Sequence, residues 1–253
     1  MLKRLLLSLA LVTGAGAAAP AADLNVYGPG GPLPAMKEAA ATFGQLRGIE
    51  IAVSAGPTSA WIDKARQDAD LVFSGSEAMM TDFVAAMDKQ VRSEDAEPLY
   101  LRAASILVRP GNPKKITGLA DLMQPGMKVL VVHGAGQAGL WEDVAGRTGD
   151  ITEVRRLRAN IGAFAPNSAA ARQTWTDDAS FDAWIIWNIW QVSNPKLADV
   201  VEIDAAHRVY RDAGIAPTAR GKQKPAAAEF VAFLKSPQGA AIFQKWGWTN
   251  PER

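Results

Sequence analysis

The stretch His133-Gly-Ala-Gly136-Gln137-Ala-Gly139 spaces three glycines as G-x-G-x-x-G between the strand-forming run Val129–Val132 and a helix-like segment from Leu140. A glycine loop ahead of a helix offers free backbone N–H groups and the positive end of a helix dipole, which together hold anions. A dinucleotide pyrophosphate is one possible tenant. Its second requirement is an acid about 20 residues on, at the end of another parallel strand. Here that place is taken by DITEVRRLRAN (150–160), which is helical in pattern and basic. The motif also lies mid-chain, behind an export leader that takes the protein away from nicotinamide pools. A small anion fits better than NAD, FAD or any other cofactor.

The same local design recurs. Tyr27-Gly-Pro-Gly-Gly-Pro32, Ser54-Ala-Gly-Pro-Thr-Ser-Ala-Trp61 and Phe73-Ser-Gly-Ser-Glu77 each close a strand with small residues and open a helix, and Pro166-Asn-Ser168 opens one directly. In open α/β sheets the carboxyl ends of strands form the ligand crevice. Such loops converging there would dehydrate an anion with amides and hydroxyls alone. Taken singly, each loop is as well explained as a tight turn.

Trp61 either aims its indole N–H into that crevice or packs its helix on the sheet. Glu77, in a first helical turn, reads as a capping acid facing solvent; facing inward, it would call for a ligand with a hydroxyl or amine. Arg109 is the cation placed to pair with an organic carboxylate, unless it is simply solvated before its turn. Arg155, Arg156 and Arg158 read as a solvated helix face, and Asp177-Asp178 as a solvent-facing turn. His133 and His207, the two histidines, have no metal-type spacing. No G-x-S-x-G elbow or Ser–His–Asp set stands out, so the expectation is neither an enzyme nor a metal protein.

The elements that must position these loops alternate along the chain. Strands are expected at 24–28, 49–56 and 69–76, with helices at about 34–45, 58–67 and 77–87. A long extended stretch, 99–113, breaks at Arg109-Pro-Gly111. A second set follows: the strand MKVLVV, the glycine loop, a helix at 152–159, a loop at 160–167, a helix at 168–175 and the apolar strand FDAWIIWNIW (181–190). On one strand Trp184 and Trp190 would share a face and Trp187 the other. Strands at 200–203 and 207–216 then return to the first half, before a helical C-terminus broken at Ser236-Pro237.

Residues 1–22 form a basic start, an apolar run too short to cross a bilayer and an A-x-A site, a leader cleaved near Ala21/Ala22. Without it the chain carries 25 basic and 26 acidic residues and no basic run, which argues against nucleic acid. It contains no cysteine, so neither a lipid anchor nor a disulfide holds it. The periplasm is the expected compartment.

NVYGPGGP, SAGPTSAW, DLVFSGSEAMM, VVHGAGQAGLWEDVAGR, DAWIIWNIWQV and FQKWGW together resemble the accessory colonization factor AcfC family, exported proteins similar to the periplasmic sulfate- and molybdate-binding components of ABC transporters. The resemblance spans nearly the whole mature chain. It implies the type 2 periplasmic binding-protein fold, an α/β architecture of two lobes closing on a ligand: lobe I as 23–103 plus 205–253, lobe II as 104–204, with hinges near 100–109 and 204–216. By position it implies anion contacts at Gly30, Gly31, Thr58, Ser59 and Ser76 from lobe I. From lobe II it implies Ala135, Gly136, Gln137, Asn167, Ser168 and Trp187 or Asn188. The first loop departs from the molybdate pattern, with glycines and prolines in place of a serine. The implied function is capture of a sulfate- or molybdate-like oxyanion by a monomer that delivers it to a membrane permease. A small organic carboxylate, or a host-contact protein or enzyme reusing the fold, is the alternative.

Overall fold

The computed structural model describes residues 22–134 and 136–249. Residues 1–21, Ala135 and residues 250–253 lie outside them. In chain order the elements are β1 (Leu24–Gly28), α1 (Leu33–Arg47), β2 (Ile51–Ala55), α2 (Ile62–Asp68), β3 (Leu71–Phe73), α3 (Glu77–Ala86) and β4 (Glu97–Val108). Then come α4 (Leu119–Leu122), β5 (Val129–Val132), α5 (Leu140–Ala145), α6 (Ile151–Asn160), β6 (Ile161–Ala165), α7 (Ser168–Asp177), β7 (Ala183–Trp187) and α8 (Ile189–Ser193). The chain closes with β8 (Asp199–Glu202), β9 (Tyr210–Pro217), α9 (Pro225–Leu234) and α10 (Pro237–Lys245).

The strands run in the order β2-β1-β3-β9-β4-β7-β5-β6, with β8 paired to β4. β1, β2 and β3 are mutually parallel, as are β5, β6 and β7, and β9 is antiparallel to β3 and β4. The twelve-residue β4 joins the two halves. Up to Ala103 it pairs with β9; from Ala104 it pairs with β7, and Ser105–Val108 also pair with β8.

Local chemistry explains the elements. α1 starts on Pro34 in its first turn and stops at Gly48, whose φ of 67° lets its N–H reach Gly44 O. Its Ala35, Met36, Ala39, Ala40 and Phe43 follow the 3.6-residue period and are buried. α3, α6 and α7 are capped by Ser76, Asp150 and Asn167, each side chain accepting an N–H of the first turn. The principal core runs through both halves and includes Trp175, Trp184 and Trp187. A second core, around Trp61, Met80 and Phe83, lies beneath α2 and α3.

Three expectations change. Residues 161–165, expected in a loop, form edge strand β6 because Ile161, Ala163 and Ala165 alternate inward beside β5. The apolar strand ends at Trp187, and Trp190 lies on α8, so its side-chain direction no longer follows a strand period. β8 stays in the second half, on β4, and only β9 crosses back to the first.

Candidate functional site

The strand ends and helix starts surround a cavity of about 150 Å³. Its walls are Pro29–Pro32 before α1, Gly56 and Pro57 after β2, Gly75 and Met79 around the start of α3, and Arg102 on β4. The other half supplies Gln137 from the glycine loop, Asn167–Ala169 at the start of α7, Trp187 at the end of β7, and Trp190. The sequence-derived residues Gly30, Gly31, Gln137, Asn167, Ser168 and Trp187 are therefore brought together.

The rest of that set sits nearby in other roles. Ser76 is buried and its hydroxyl accepts from Met79 N at 3.2 Å, capping α3. Gly136, with φ of 72°, is pressed against this cap: a Cβ there would meet Met79 Cε at 2.9 Å and Ser76 Oγ at 3.3 Å. Thr58 and Ser59 form a short turn outside the cavity wall, and Ser59 is exposed. Trp61 takes its core role: it stacks on Tyr27, meets Phe83 edge-on and donates to Gly56 O at 3.3 Å, buttressing the loop from behind. Asn188 donates through Nδ2 to Gly247 O at 2.7 Å and ties down the C-terminal segment.

Arg109 neither faces the cavity nor lies free in solvent. Its guanidinium donates to the carbonyls of Phe181, Trp175 and Asp178 at 2.6–2.8 Å and stacks 3.7 Å from the Trp175 ring centre. Each of its three nitrogens donates to a main-chain carbonyl, so it staples the end of β4 to the end of α7.

The cation of the cavity is Arg102, which the sequence reasoning passed over. It is 3% exposed. Its guanidinium carbon lies 4.6 Å from the Trp187 ring centre and 5.2 Å from that of Trp248, and Nη2 donates to Gly75 O. Nε is buried without a partner, and among the described residues no carboxylate forms an ion pair with it. Burial pushes this guanidinium down to about 9, with Asp212 opposing the shift and Arg211 adding to it. It remains charged at neutral pH. The glycines around it leave room for its nitrogens: a Cβ on Gly31 would stand 2.9 Å from Nη1, and one on Gly75 2.9 Å from Nη2, so either would make the guanidinium shift. A signal for Arg102 exists in the sequence, since strand alternation puts it on the same face as Tyr100 and Ala104, both buried.

Two other wall residues carry unmatched buried polar atoms, the indole Nε1 of Trp187 and Oε1 of Gln137, whose Nε2 donates to Ser168 Oγ at 2.6 Å. Buried polar atoms in folded proteins are nearly always paired. Three of the six unmatched side-chain atoms found among the described residues therefore belong to wall residues of this one cavity. The described residues contain no group of three or more potential metal ligands, and none of their helices is long and apolar enough to cross a membrane.

A family model for bacterial extracellular solute-binding proteins matches residues 24–249. No curated protein sequence matches the chain. Among solved structures, the chain is similar to Peb3 from Campylobacter jejuni at 36% identity and a TM-score of 0.84, covering 90% of this chain and 100% of that one. A structure of PEB3 bound to L-phospholactate matches at 37% identity and 0.85 over the same shares. The sulfate-binding protein SubI from Mycobacterium tuberculosis, at 19% identity, has a TM-score of 0.72 over 90% of this chain and 88% of its own. With the molybdate-binding protein of Azotobacter vinelandii (15%, 0.67, 90% and 100%) it shares the fold: type 2 periplasmic binding protein, two α/β lobes about a hinge.

Proposed function

Because the chain belongs to the bacterial extracellular solute-binding protein family, we propose that it captures a small anion in the periplasm, between its lobes and against Arg102, and hands it to an ABC-type permease. The observation that carries this reading is the buried, unpaired guanidinium. An isolated charge out of water is costly unless a counter-charge and hydrogen bonds satisfy it. A ligand oxyanion would supply both, accepting from Arg102 and the Trp187 indole while α1 and α7 present their N-terminal amides.

A small organic acid with a phosphate or carboxylate is favoured over sulfate or molybdate. Arg102 offers the planar fork that suits carboxylate and phosphate. A cavity of about 150 Å³ also exceeds the roughly 30 Å³ of a single water several-fold, leaving room for carbon atoms. The phospholactate carried by a 37% identical structure is of this class. Capture needs no covalent step and no cofactor, and the relation to AcfC-type colonization factors would reflect shared ancestry of this binding machinery. The mature chain would act as a monomer.

A thermal-shift screen followed by calorimetry tests the ligand class. L-phospholactate and small dicarboxylates should stabilise the protein and sulfate and molybdate should do so weakly. Stabilisation by the inorganic ions alone would reverse the choice. Saturable binding that survives Arg102→Met would refute the anchor.

A further inference from the structure

After α10 ends at Lys245 the chain turns once more through Trp246-Gly-Trp-Thr249. Gly247 has φ of 86°, a conformation that favours glycine, and the two tryptophans beside it go to different partners. The Trp246 indole donates to Glu38 Oε2 of α1 at 2.7 Å, and the Lys245 ammonium lies 2.8 Å from Glu38 Oε1. Trp248 is buried, and its ring centre stands 5.2 Å from the Arg102 guanidinium carbon.

Further ties fix where that ring stands. Thr249 N donates to Leu101 O at 2.7 Å and Leu101 N donates to Thr249 O at 3.0 Å, so the segment pairs with β4 at the residue before Arg102. Asn188, at the start of α8, donates to Gly247 O, and a Cβ on Gly247 would stand 2.9 Å from Val192 Cγ2 of the same helix. Phe243 meets the Trp248 ring edge-on at 5.9 Å and stacks on Tyr100 of β4 at 4.5 Å. The segment therefore grips α1, β4 and α8 at once.

Trp248 is not a wall of the cavity, so it reaches a ligand only through Arg102. A long arginine side chain loses rotamer freedom when its fork is held in one direction. An aromatic ring packed on the guanidinium favours one direction beforehand. Here the bonds to Leu101 refer the ring and the guanidinium to the same stretch of β4.

We propose that Trp246–Thr249 is a strap and that Trp248 is a positioning residue, holding the Arg102 guanidinium in its binding orientation before a ligand arrives. The inference rests on the reading of Arg102 as the anion anchor.

Nitrogen NMR of the ligand-free protein tests the strap by itself, through rotation about the Arg102 Nε–Cζ bond, the signal being assigned by its loss in Arg102→Lys. Rotation should be slow in the native protein, faster in Trp248→Leu and close to native in Trp248→Phe, which keeps an aromatic face. Equal rotation in the native protein and Trp248→Leu would overturn the positioning role. Calorimetry with L-phospholactate reads the consequence. Trp248→Leu should bind about tenfold more weakly, and Trp248→Phe should recover most of that loss. Equal losses in the two variants would make Trp248 a packing residue only and overturn the proposal. Asn188→Ala cuts the tie to α8 without touching the ring, and serves also if Trp248→Leu fails to fold. It should speed the same rotation and weaken binding, and native behaviour in both would show that the strap does not reach Arg102. Faster rotation in Trp248→Leu with unchanged affinity, or no phospholactate binding by the native protein, would instead overturn the anchor and leave the strap.

Discussion

Arg102 gathers the chemistry of the molecule into one side chain, and its neighbours are arranged to keep it there. Trp187 and Trp248 flank the guanidinium, and Gly31 and Gly75 leave the space its nitrogens occupy. Arg102→Met should weaken anion binding by about 2–5 kcal/mol, as loss of one partner from a buried charge pair does. Arg102→Lys should recover only part of it, because an ammonium lacks the fork. Gly31→Ala should weaken binding through its added Cβ, which needs the space of Nη1. Titration calorimetry reads all three, and full affinity in Arg102→Lys would show that charge alone matters. The placement of Gly30, Gly31, Gln137, Asn167 and Ser168 around one cavity was legible because small residues at a strand–helix junction have few other reasons to recur. Arg102 was hidden because a lone arginine in LYLRAASILV reads as a break in the strand, whereas alternation buries it beside Tyr100. Arg109 misled for the converse reason: a breaker follows it, yet three distant carbonyls claim its donors.

Among the elements, α7 links capping to binding most directly. Asn167 Oδ1 accepts from Ala170 N at 2.9 Å, and the same residue lines the cavity. Asn167→Ala should lower stability by about 1 kcal/mol, the usual cost of a lost N-cap. It should also weaken anion binding, since the first-turn amides lose their fixed direction. Thermal melts with and without ligand separate the two effects, and an unchanged melt would show that the cap is dispensable. The order of β and α segments was readable from apolar period and Gly-Pro punctuation. The edge strand β6 was not: Ile161-Gly-Ala-Phe-Ala165 is too short and too small to announce a strand without β5 beside it. Nor was the end of β7, where the apolar run continues past Trp187 into α8 with no breaker.

Across the whole molecule, His207 ties the segment ahead of β9 to α6. Its ring nitrogens meet Asp204 at 2.9 Å and Glu153 at 3.0 Å. Burial works against the charged ring, but the two carboxylates outweigh it and the His207 pKa is raised above 6.5. A raised histidine contributes stability fully below its unfolded value and loses it as pH rises through the folded one. Melting temperature should therefore fall from about pH 6.5 upward, and His207→Gln should remove that slope. Parallel slopes in the two proteins would assign the trend elsewhere. A tie between residues 54 positions apart in the chain has no local signature and was not readable from sequence. The exchange of partners along β4 has a kinetic consequence. Arg102 stands one residue before the Ala103–Ala104 changeover, near the fulcrum of any rocking of one half against the other. Loops far from a fulcrum travel most and the anchor travels least, so an anion can engage Arg102 before the jaws meet. Stopped-flow tryptophan fluorescence should then resolve a fast, salt-sensitive bimolecular phase followed by a slower one whose rate levels off with ligand concentration. A single phase, linear in concentration throughout, would mean that docking and clamping are one event.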